Sequence, residues 1–304
     1  MADSLAIDDR ISSDGGNVYQ SKYSTELGLD FHIACEAPRV ERTHPRVQAR
    51  VLGALHIGVE GAVEPVAVAP KIRTVLAMLL VHVDQVVPVQ VLVRELWQEN
   101  PPVTGLRTLQ TYILNCRKML ARVTGRPAAR ISQEMLVTGS GGYSLKGDQL
   151  QLDWLEFQQL TKLGCKALGE GETIEGIGLL DAALELWQGD ALADAPAGPV
   201  LDSRRRLFEE SRLDAIAMRA EAHIKAGLHQ RAITQLAAVT REHALHEGLH
   251  HQYVRALALG GRRAEALGVL RGLRVRLVNE IGIEPGAPLQ DLQLAILNSD
   301  SGTM

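Results

Sequence analysis

Aromatic residues, long apolar runs and cysteines are all scarce in this chain of 304 residues. Only 4% of the residues are Phe, Trp or Tyr, which argues against an all-β sandwich, because such folds draw on these side chains. No apolar run approaches the roughly 20 residues that cross a bilayer, and the acidic N-terminus lacks the apolar region of a secretory signal. We therefore expect a helix-rich cytoplasmic protein with no membrane partner.

The three cysteines, Cys35, Cys116 and Cys165, are far apart in the sequence. They offer neither a CxxC pair for a metal nor the even number typical of a disulfide framework, which fits a reducing cytoplasm. The chain also lacks the P-loop signature of an ATPase. The glycine-rich segment 139–142 follows no nucleotide-binding strand, so we interpret it as a turn rather than a phosphate cradle.

Histidines form the one cluster with metal-like spacing, and two of them, His246 and His250, are four residues apart. Side chains at that spacing share a helix face, as metal ligands can. No cysteine accompanies them or their neighbours His243 and His251, and a solvated surface of a repeat is the favoured interpretation. The sequence thus predicts no metal, no cofactor and no enzymatic activity.

Charge is divided unevenly along the chain, although the net charge is only −4. Residues 1–45 carry a net charge of −4, residues 46–146 carry +6, and residues 147–304 carry −6. A basic middle between acidic flanks is expected when one domain meets phosphate and another does not. Many basic domains bind no anion, however, so charge alone does not establish nucleic-acid binding and the sequence motifs are needed as well.

The basic part has the element order of a winged helix-turn-helix preceded by a small sheet. The patterns predict short strands within 47–59 and 62–68, and helices beginning at Pro70, near Pro88 and at about Thr104, with strands at 131–132 and 136–145 around a hairpin. The fold class is mainly α with a small β component. We expect these domains: a disordered acidic extension at 1–45, the winged helix at 46–147, an all-α repeat domain at 148–298 and a tail at 299–304.

The third helix, 104–123, has the two faces of a recognition helix. At 100° per residue an apolar stripe is predicted to pack inward; it comprises Leu106, Leu109, Ile113, Cys116 and Leu120. The opposite stripe is hydrogen-bonding at its start and cationic at its end; it comprises Thr104, Thr108, Thr111, Asn115, Lys118 and Arg122, with Arg107 beside it. Short polar groups reach base edges in the major groove, whereas Lys and Arg reach the flanking backbone; Arg107 could either read guanine or hold a phosphate. The alternative is an ordinary amphipathic helix with a solvated face.

The second half contains an internal repeat, since segment 226–236 aligns with 260–270. The offset of 34 residues is the period of a tetratricopeptide repeat. Ala232 and Ala266 occupy one small position of the repeat, and such small residues let paired helices approach closely. A further predicted helix pair, 153–169 and 173–187, precedes an irregular stretch at 189–199, so we expect an all-α tetratricopeptide-like domain.

These motifs together resemble the Streptomyces antibiotic regulatory proteins. The winged-helix marks are LWQENPP at 96–102, LQTYILNCRKML at 109–120 and GYSL at 142–145. The marks of the bacterial transcriptional activation domain are ALELWQG at 183–189, LFEESRL at 207–213, GRRAEAL at 261–267 and EIGIEPG at 280–286. One departure is Leu106, where the family commonly has Arg.

The resemblance implies an OmpR-type activator of a secondary-metabolite gene cluster. Its expected partners are double-stranded DNA with direct repeats near promoters and the RNA polymerase holoenzyme, and a homodimer on DNA is a candidate arrangement. Tyr143, in the wing motif, joins the stripe residues as a candidate DNA contact. Two alternatives stay open: a repeat scaffold whose winged domain binds protein, and a regulator controlled by a ligand or by phosphorylation.

Overall fold

The computed structural model describes residues 46–59 and 62–298. The expectations for 1–45 and for the tail at 299–304 lie outside the described residues. Within the described part, a mostly helical chain begins with two small sheets and ends in a helical array, which confirms the predicted fold class. No helix of this part is long and apolar enough to cross a membrane.

The first sheet has four strands in the order β3-β2-β1-β7. Strands β1 (Val47–Arg50), β2 (His56–Val59) and β3 (Ala62–Pro65) form an antiparallel meander. Strand β7 (Leu150–Leu152) returns about a hundred residues later and pairs parallel to β1. The sheet is therefore completed by residues that follow the predicted winged-helix segment.

Three helices with a short strand between the first two form the helix-turn-helix. Helix α1 (Pro70–Leu80) starts with Pro at its first position, where the missing N–H has no helical partner to lose. Strand β4 (Val87–Pro88) leads into α2 (Val89–Trp97), and α3 (Gly105–Thr124) ends at Gly125 in the left-handed conformation. The sequence predicted all three helices.

The wing is a three-stranded sheet in the order β4-β6-β5. After the short α4 (Ala128–Arg130), strands β5 (Leu136–Gly139) and β6 (Gly142–Leu145) form the predicted hairpin. The strand predicted at 131–132 is wrong, because residues Ile131–Met135 form a helical turn. Ile131 and Met135 are both buried, and their spacing of four is the helical one.

Seven helices make up the rest of the described chain, and the predicted irregular stretch lies between the second and the third. They are α5 (Asp153–Gly169), α6 (Thr173–Glu185), α7 (Pro199–Lys225), α8 (His229–Glu242), α9 (Glu247–Leu259), α10 (Arg263–Ile281) and α11 (Ala287–Asn298). The 34-residue offset is confirmed in three dimensions. Ala232 on α8 and Ala266 on α10 are both fully buried, so each repeat uses its alanine where two helices meet.

One apolar core joins the winged helix to the first part of the helical array. It combines buried side chains of the two sheets and α1–α3 with those of α5–α7 and the irregular stretch. At its centre the Trp154 ring lies 4.1 Å from the Phe208 ring and 5.6 Å from the Phe157 ring, measured between centroids. These residues therefore pack as one hydrophobic unit.

Two buried carboxylates reinforce that junction by accepting backbone N–H groups. Glu95 on α2 is 4% exposed and accepts from Gly198, Val200 and Leu201 at 2.7, 2.8 and 3.1 Å, at the first turn of α7. These N–H groups have no partner within the helix, and a negative charge there also meets the positive end of the helix dipole. A residue of the winged helix thus caps a helix of the repeat domain.

The second carboxylate, Asp153 at the start of α5, accepts from the residues that follow β1. Its oxygens lie 2.9 Å from the Val51 nitrogen and 3.0 Å from the Leu52 nitrogen, and it also accepts from Trp154 at 2.8 Å. Burial raises the pKa of this carboxyl to about 6, against the opposing effect of these N–H groups. The contact fixes the first sheet to α5.

Two histidines of the predicted cluster, His246 and His250, form hydrogen bonds at the start of α9 and between α9 and α10. The interpretation as a solvated surface is wrong for His250, which is 1% exposed. Its Nδ1 donates to the His246 carbonyl at 3.0 Å, and its Nε2 accepts from Arg276 at 3.3 Å. His246 itself accepts the Leu249 N–H at 3.2 Å and caps α9. Among residues 46–59 and 62–298, no three His, Cys, Asp or Glu are placed to hold a metal ion.

Candidate nucleic-acid interface

Helix α3 is held on the domain by the inward stripe that the sequence predicted, with one exception. Leu109, Ile113, Cys116 and Leu120 are at most 1% exposed. Burial raises the pKa of the Cys116 thiol to about 12, so this cysteine packs as an apolar side chain. Leu106 was predicted to pack inward and is 62% exposed, because it lies in the first turn, beyond the end of the core.

Seven predicted DNA-contacting residues lie together on the outer side of α3 and at its start. Five of them are exposed and two, Thr108 and Asn115, are half-buried; the exposed ones are Thr104, Arg107, Thr111, Lys118 and Arg122. We call these seven residues the polar face. It extends from the first residue before α3 to its last turn, so it runs along the whole length of the helix, which rises about 1.5 Å per residue.

The hydrogen-bonding part of the polar face is ordered by contacts within α3. The Thr108 hydroxyl donates to the Thr104 carbonyl at 3.0 Å, and the Thr111 hydroxyl donates to the Arg107 carbonyl at 3.1 Å. Asn115 Nδ2 donates to the Thr111 carbonyl at 3.0 Å. The two threonine hydroxyls thus use their donor within the helix and keep acceptor capacity, whereas the Asn115 amide keeps one N–H donor and its acceptor oxygen. Acceptors match the amino groups of adenine and cytosine in the major groove, and an amide can pair with adenine.

The cationic part of the polar face comprises Arg107, Lys118 and Arg122. Arg107, Lys118 and Arg122 belong to no ion pair among the ranges that the structure describes. By contrast, several arginines of the repeat domain are paired with carboxylates, as Arg219 is with Asp181 at 2.8 Å. These three cations of the polar face are therefore available to an external anion.

The wing is tied to α3 by Arg117, whose Nε and Nη2 donate to the Leu136 carbonyl at 3.0 and 2.9 Å. Its Nη2 also donates to the Thr138 hydroxyl at 2.8 Å. Since the guanidinium is a rigid planar fork, these three bonds set the orientation of β5 relative to the helix. Arg117 is thus a positioning residue, and the sequence analysis did not single it out.

Tyr143 is the one predicted DNA-contacting residue that the structure places elsewhere. Its side chain is 8% exposed and belongs to the shared apolar core, whereas the other seven lie on the surface of α3 and its start. All four residues of β6 are buried, because this strand is central in the wing sheet. We therefore leave Tyr143 out of the interface.

A row of exposed side chains next to the polar face was missed. Gln110 and Leu114 were assigned to neither stripe, and both are exposed, Leu114 by 47%. The signal was present in the helical spacing, because Leu114 is three residues after Thr111 and four before Lys118. An apolar residue at that position borders the polar face.

Two parts of the chain match families of known proteins. Residues 63–139 match the model of the family described as transcriptional regulatory protein, C terminal, and residues 152–297 match that of the bacterial transcriptional activator domain. The chain is 38% identical over 257 residues to the regulatory protein DnrI of Streptomyces peucetius, covering 84% of this chain and 94% of that protein.

Larger relatives share only part of their length with this chain. The regulatory protein AfsR of Streptomyces griseus is 34% identical over 232 residues, which cover 76% of this chain and 23% of AfsR. A solved structure of Mycobacterium tuberculosis EmbR in complex with a low-affinity phosphopeptide is similar with a TM-score of 0.76 and 30% identity. The match covers 84% of this chain and 66% of the EmbR chain.

The winged helix and the helical array are thus matched by relatives that regulate transcription. The chain belongs to the Streptomyces antibiotic regulatory proteins, a family of DNA-binding transcriptional regulators.

Proposed function

We propose that this protein activates a secondary-metabolite gene cluster by binding direct repeats near promoters through α3. The observation that carries the proposal is the polar face, where hydrogen-bonding side chains lie beside three cations that form no ion pair within the described part of the chain. Its length and chemistry suit the major groove of double-stranded DNA. The choice of gene class follows from membership of the Streptomyces antibiotic regulatory proteins, and the relative DnrI of Streptomyces peucetius, named a regulatory protein, supports the regulatory role.

The residues of the polar face divide into two roles. Arg107, Lys118 and Arg122 contact phosphates and supply affinity that falls with salt. The remaining four contact base edges and supply sequence preference; they are Thr104, Thr108, Thr111 and Asn115.

The repeat domain, which we place at 148–298 after a winged helix at 46–147, contacts RNA polymerase. The part of the chain from residue 147 onward carries a net charge of −6, so DNA repels it and a protein partner is favoured. Helical repeats also present extended surfaces to proteins. Two copies aligned on the direct repeats would each present such a surface to one polymerase in the cytoplasm.

The test is binding of the full chain to promoter fragments of its own gene neighbourhood, followed by footprinting. Lys118→Ala and Arg122→Ala should each weaken binding to all sequences and reduce the salt slope by about 0.9, as expected for one lost phosphate contact. Thr108→Ala and Asn115→Ala should change base preference, at about 1–3 kcal/mol for each lost base contact.

Lys162→Ala is the matched control, because it removes an exposed positive charge from α5 of the repeat domain. It should leave the salt slope as it is in the unmodified protein. If Lys118→Ala and Arg122→Ala behave like this control, α3 does not contact the DNA backbone. Protein binding without any footprint would instead favour a scaffold.

A further inference from the structure

Three exposed side chains, Leu106, Gln110 and Leu114, form a row along α3 at intervals of four residues. Leu106 is 62% exposed and Leu114 is 47% exposed, and Gln110 is exposed between them. Residues four apart lie one above the other on a helix, so the three side chains make a continuous strip. We call it the second row. It contains two large apolar side chains and no charge.

The second row borders the polar face on one side and the wing on the other. Leu114 is one turn from Thr111 and one turn from Lys118, both on the polar face. Three residues after Leu114, Arg117 reaches across to β5 of the wing, with 2.8 Å between Nη2 and the Thr138 hydroxyl. A duplex that covers the polar face therefore also covers the second row and removes it from water.

The chemistry of the second row fits one kind of base pair. Thymine carries the C5-methyl group, an apolar group on the base edges in the major groove, and a glutamine amide pairs with N6 and N7 of adenine. Leucines against a phosphate or a G·C edge would strip water from polar groups without replacing the hydrogen bonds, which is unfavourable.

We propose that the second row reads A·T pairs, with Leu114 and Leu106 against thymine methyl groups and Gln110 against adenine. The inference rests on the proposed DNA-binding function and names additional specificity-determining residues for it. Scattered exposed leucines are ordinary on protein surfaces. Here two of them continue the candidate interface in regular spacing, and this continuity distinguishes them.

The experiment removes the C5-methyl group of thymine from the DNA and leaves the protein unchanged. The full chain first selects its preferred sites from random duplexes, and each thymine of the selected site is then replaced by deoxyuridine. Burial of one methyl group is equivalent to about 0.8 kcal/mol, and 1.4 kcal/mol is a factor of ten in affinity. Deoxyuridine at a contacted thymine should therefore weaken binding by about fourfold.

Leu114→Ala should lose that fourfold sensitivity at one thymine, and Leu106→Ala should lose it at another. Gln110→Ala should bind 7-deazaadenine and adenine duplexes equally, whereas the unmodified chain should prefer adenine. Leu155→Ala is the matched control, because Leu155 on α5 is 48% exposed and far along the chain from α3. This variant should keep the full sensitivity to deoxyuridine.

Each other result would overturn the proposal. Equal deoxyuridine effects in the unmodified chain and in Leu114→Ala would show that no methyl contact is made through that leucine. If the leucine variants keep their deoxyuridine sensitivity but stimulate transcription less, the second row contacts a protein. A selection that returns no preferred sequence would contradict the proposed function itself, and so the two failures are distinguishable.

Discussion

At the scale of single residues, Glu95 shows how one side chain can serve two domains. It is on α2, the helix before α3, and its carboxylate caps the first turn of α7. Gly198 is adapted to it, because a Cβ at this position would come within 2.5 Å of the Glu95 carbonyl oxygen. The close approach of the two backbones therefore requires glycine at position 198, and it brings the Gly198 N–H within 2.7 Å of the Glu95 carboxylate.

Glu95→Ala should destabilise the protein by about 3 kcal/mol, since it removes the acceptor of three N–H groups at the start of α7, two of them buried. Glu95→Gln keeps one acceptor oxygen and should cost less. The measurement is urea unfolding followed by circular dichroism. Glu99→Ala, which changes an exposed carboxylate shortly after α2, should alter the free energy of unfolding by about 0.5 kcal/mol at most. Equal losses for Glu95→Ala and Glu99→Ala would contradict the capping role.

His250 should make the stability of the protein depend on pH. Burial lowers its pKa, and nearby Arg276 and His246 lower it further, against the opposing hydrogen bond to the His246 carbonyl. The unfolded chain then binds the proton more readily than the folded one, so stability is present above pH 6.5 and is lost as pH falls below it. His250→Gln should flatten this dependence between pH 7.5 and 5.5 in thermal unfolding; parallel curves for the two proteins would contradict the assignment.

Residue burial followed from the sequence only where periodicity continues inside an element. The spacing of Leu109, Ile113 and Leu120 was sufficient for the inner side of α3. It was insufficient for Leu106, because the helical spacing does not show how far along the helix the core extends. It was also insufficient for Tyr143, because the strand that contains it is covered on both faces. Contacts such as Glu95 to Leu201 join residues 106 positions apart, and no local pattern encodes them.

At the scale of elements, the two repeats use the same turn to connect their helices. Gly227 before α8 and Gly261 before α10 have φ angles of +74° and +79°. This left-handed conformation suits glycine and is strained for residues that carry a Cβ. The 34-residue offset therefore repeats a turn as well as a helix, which explains why it was visible in the sequence.

Gly261→Ala should destabilise the protein by about 1 kcal/mol through backbone strain alone, because a Cβ there meets nothing within 4 Å. Gly268 offers a matched control. It lies within α10, where a Cβ is equally unobstructed, and Gly268→Ala should stabilise the protein by about 0.5–1 kcal/mol through helix propensity. Opposite shifts of the thermal midpoint are expected, and shifts of the same sign would be inconsistent with the repeated turn.

At the scale of the whole molecule, the winged helix depends on the residues that follow it. A chain ending at Lys146 lacks strand β7, the Asp153 acceptor and the aromatic rings around Trp154. Several side chains of the shared core would then face water, each at a cost of about 1.5–3 kcal/mol. We expect this truncated chain to lack a cooperative thermal transition and to bind its operator weakly.

Its control is a chain ending at Asn298, which keeps every described element and should unfold cooperatively. A sharp thermal transition and full operator affinity for the chain ending at Lys146 would show that the winged helix is autonomous. The sequence predicted the winged helix and the repeat domain as two separate domains, because composition and charge change near residue 147. The parallel pairing of β1 with β7 is a nonlocal contact, and composition contains no trace of it.

The pairing of β1 with β7 also has a consequence for biosynthesis. The ribosome makes about 5–20 residues each second, so the free edge of β1 waits roughly 5–20 s for a partner strand that follows about a hundred residues later. The cap on α7 arrives later still. The apolar core that α3 shares with the repeat domain is therefore complete only when much of that domain has emerged. We therefore expect incomplete translation products, such as the chain ending at Lys146, to compete poorly for operators. The operators would then be bound mainly by full-length protein.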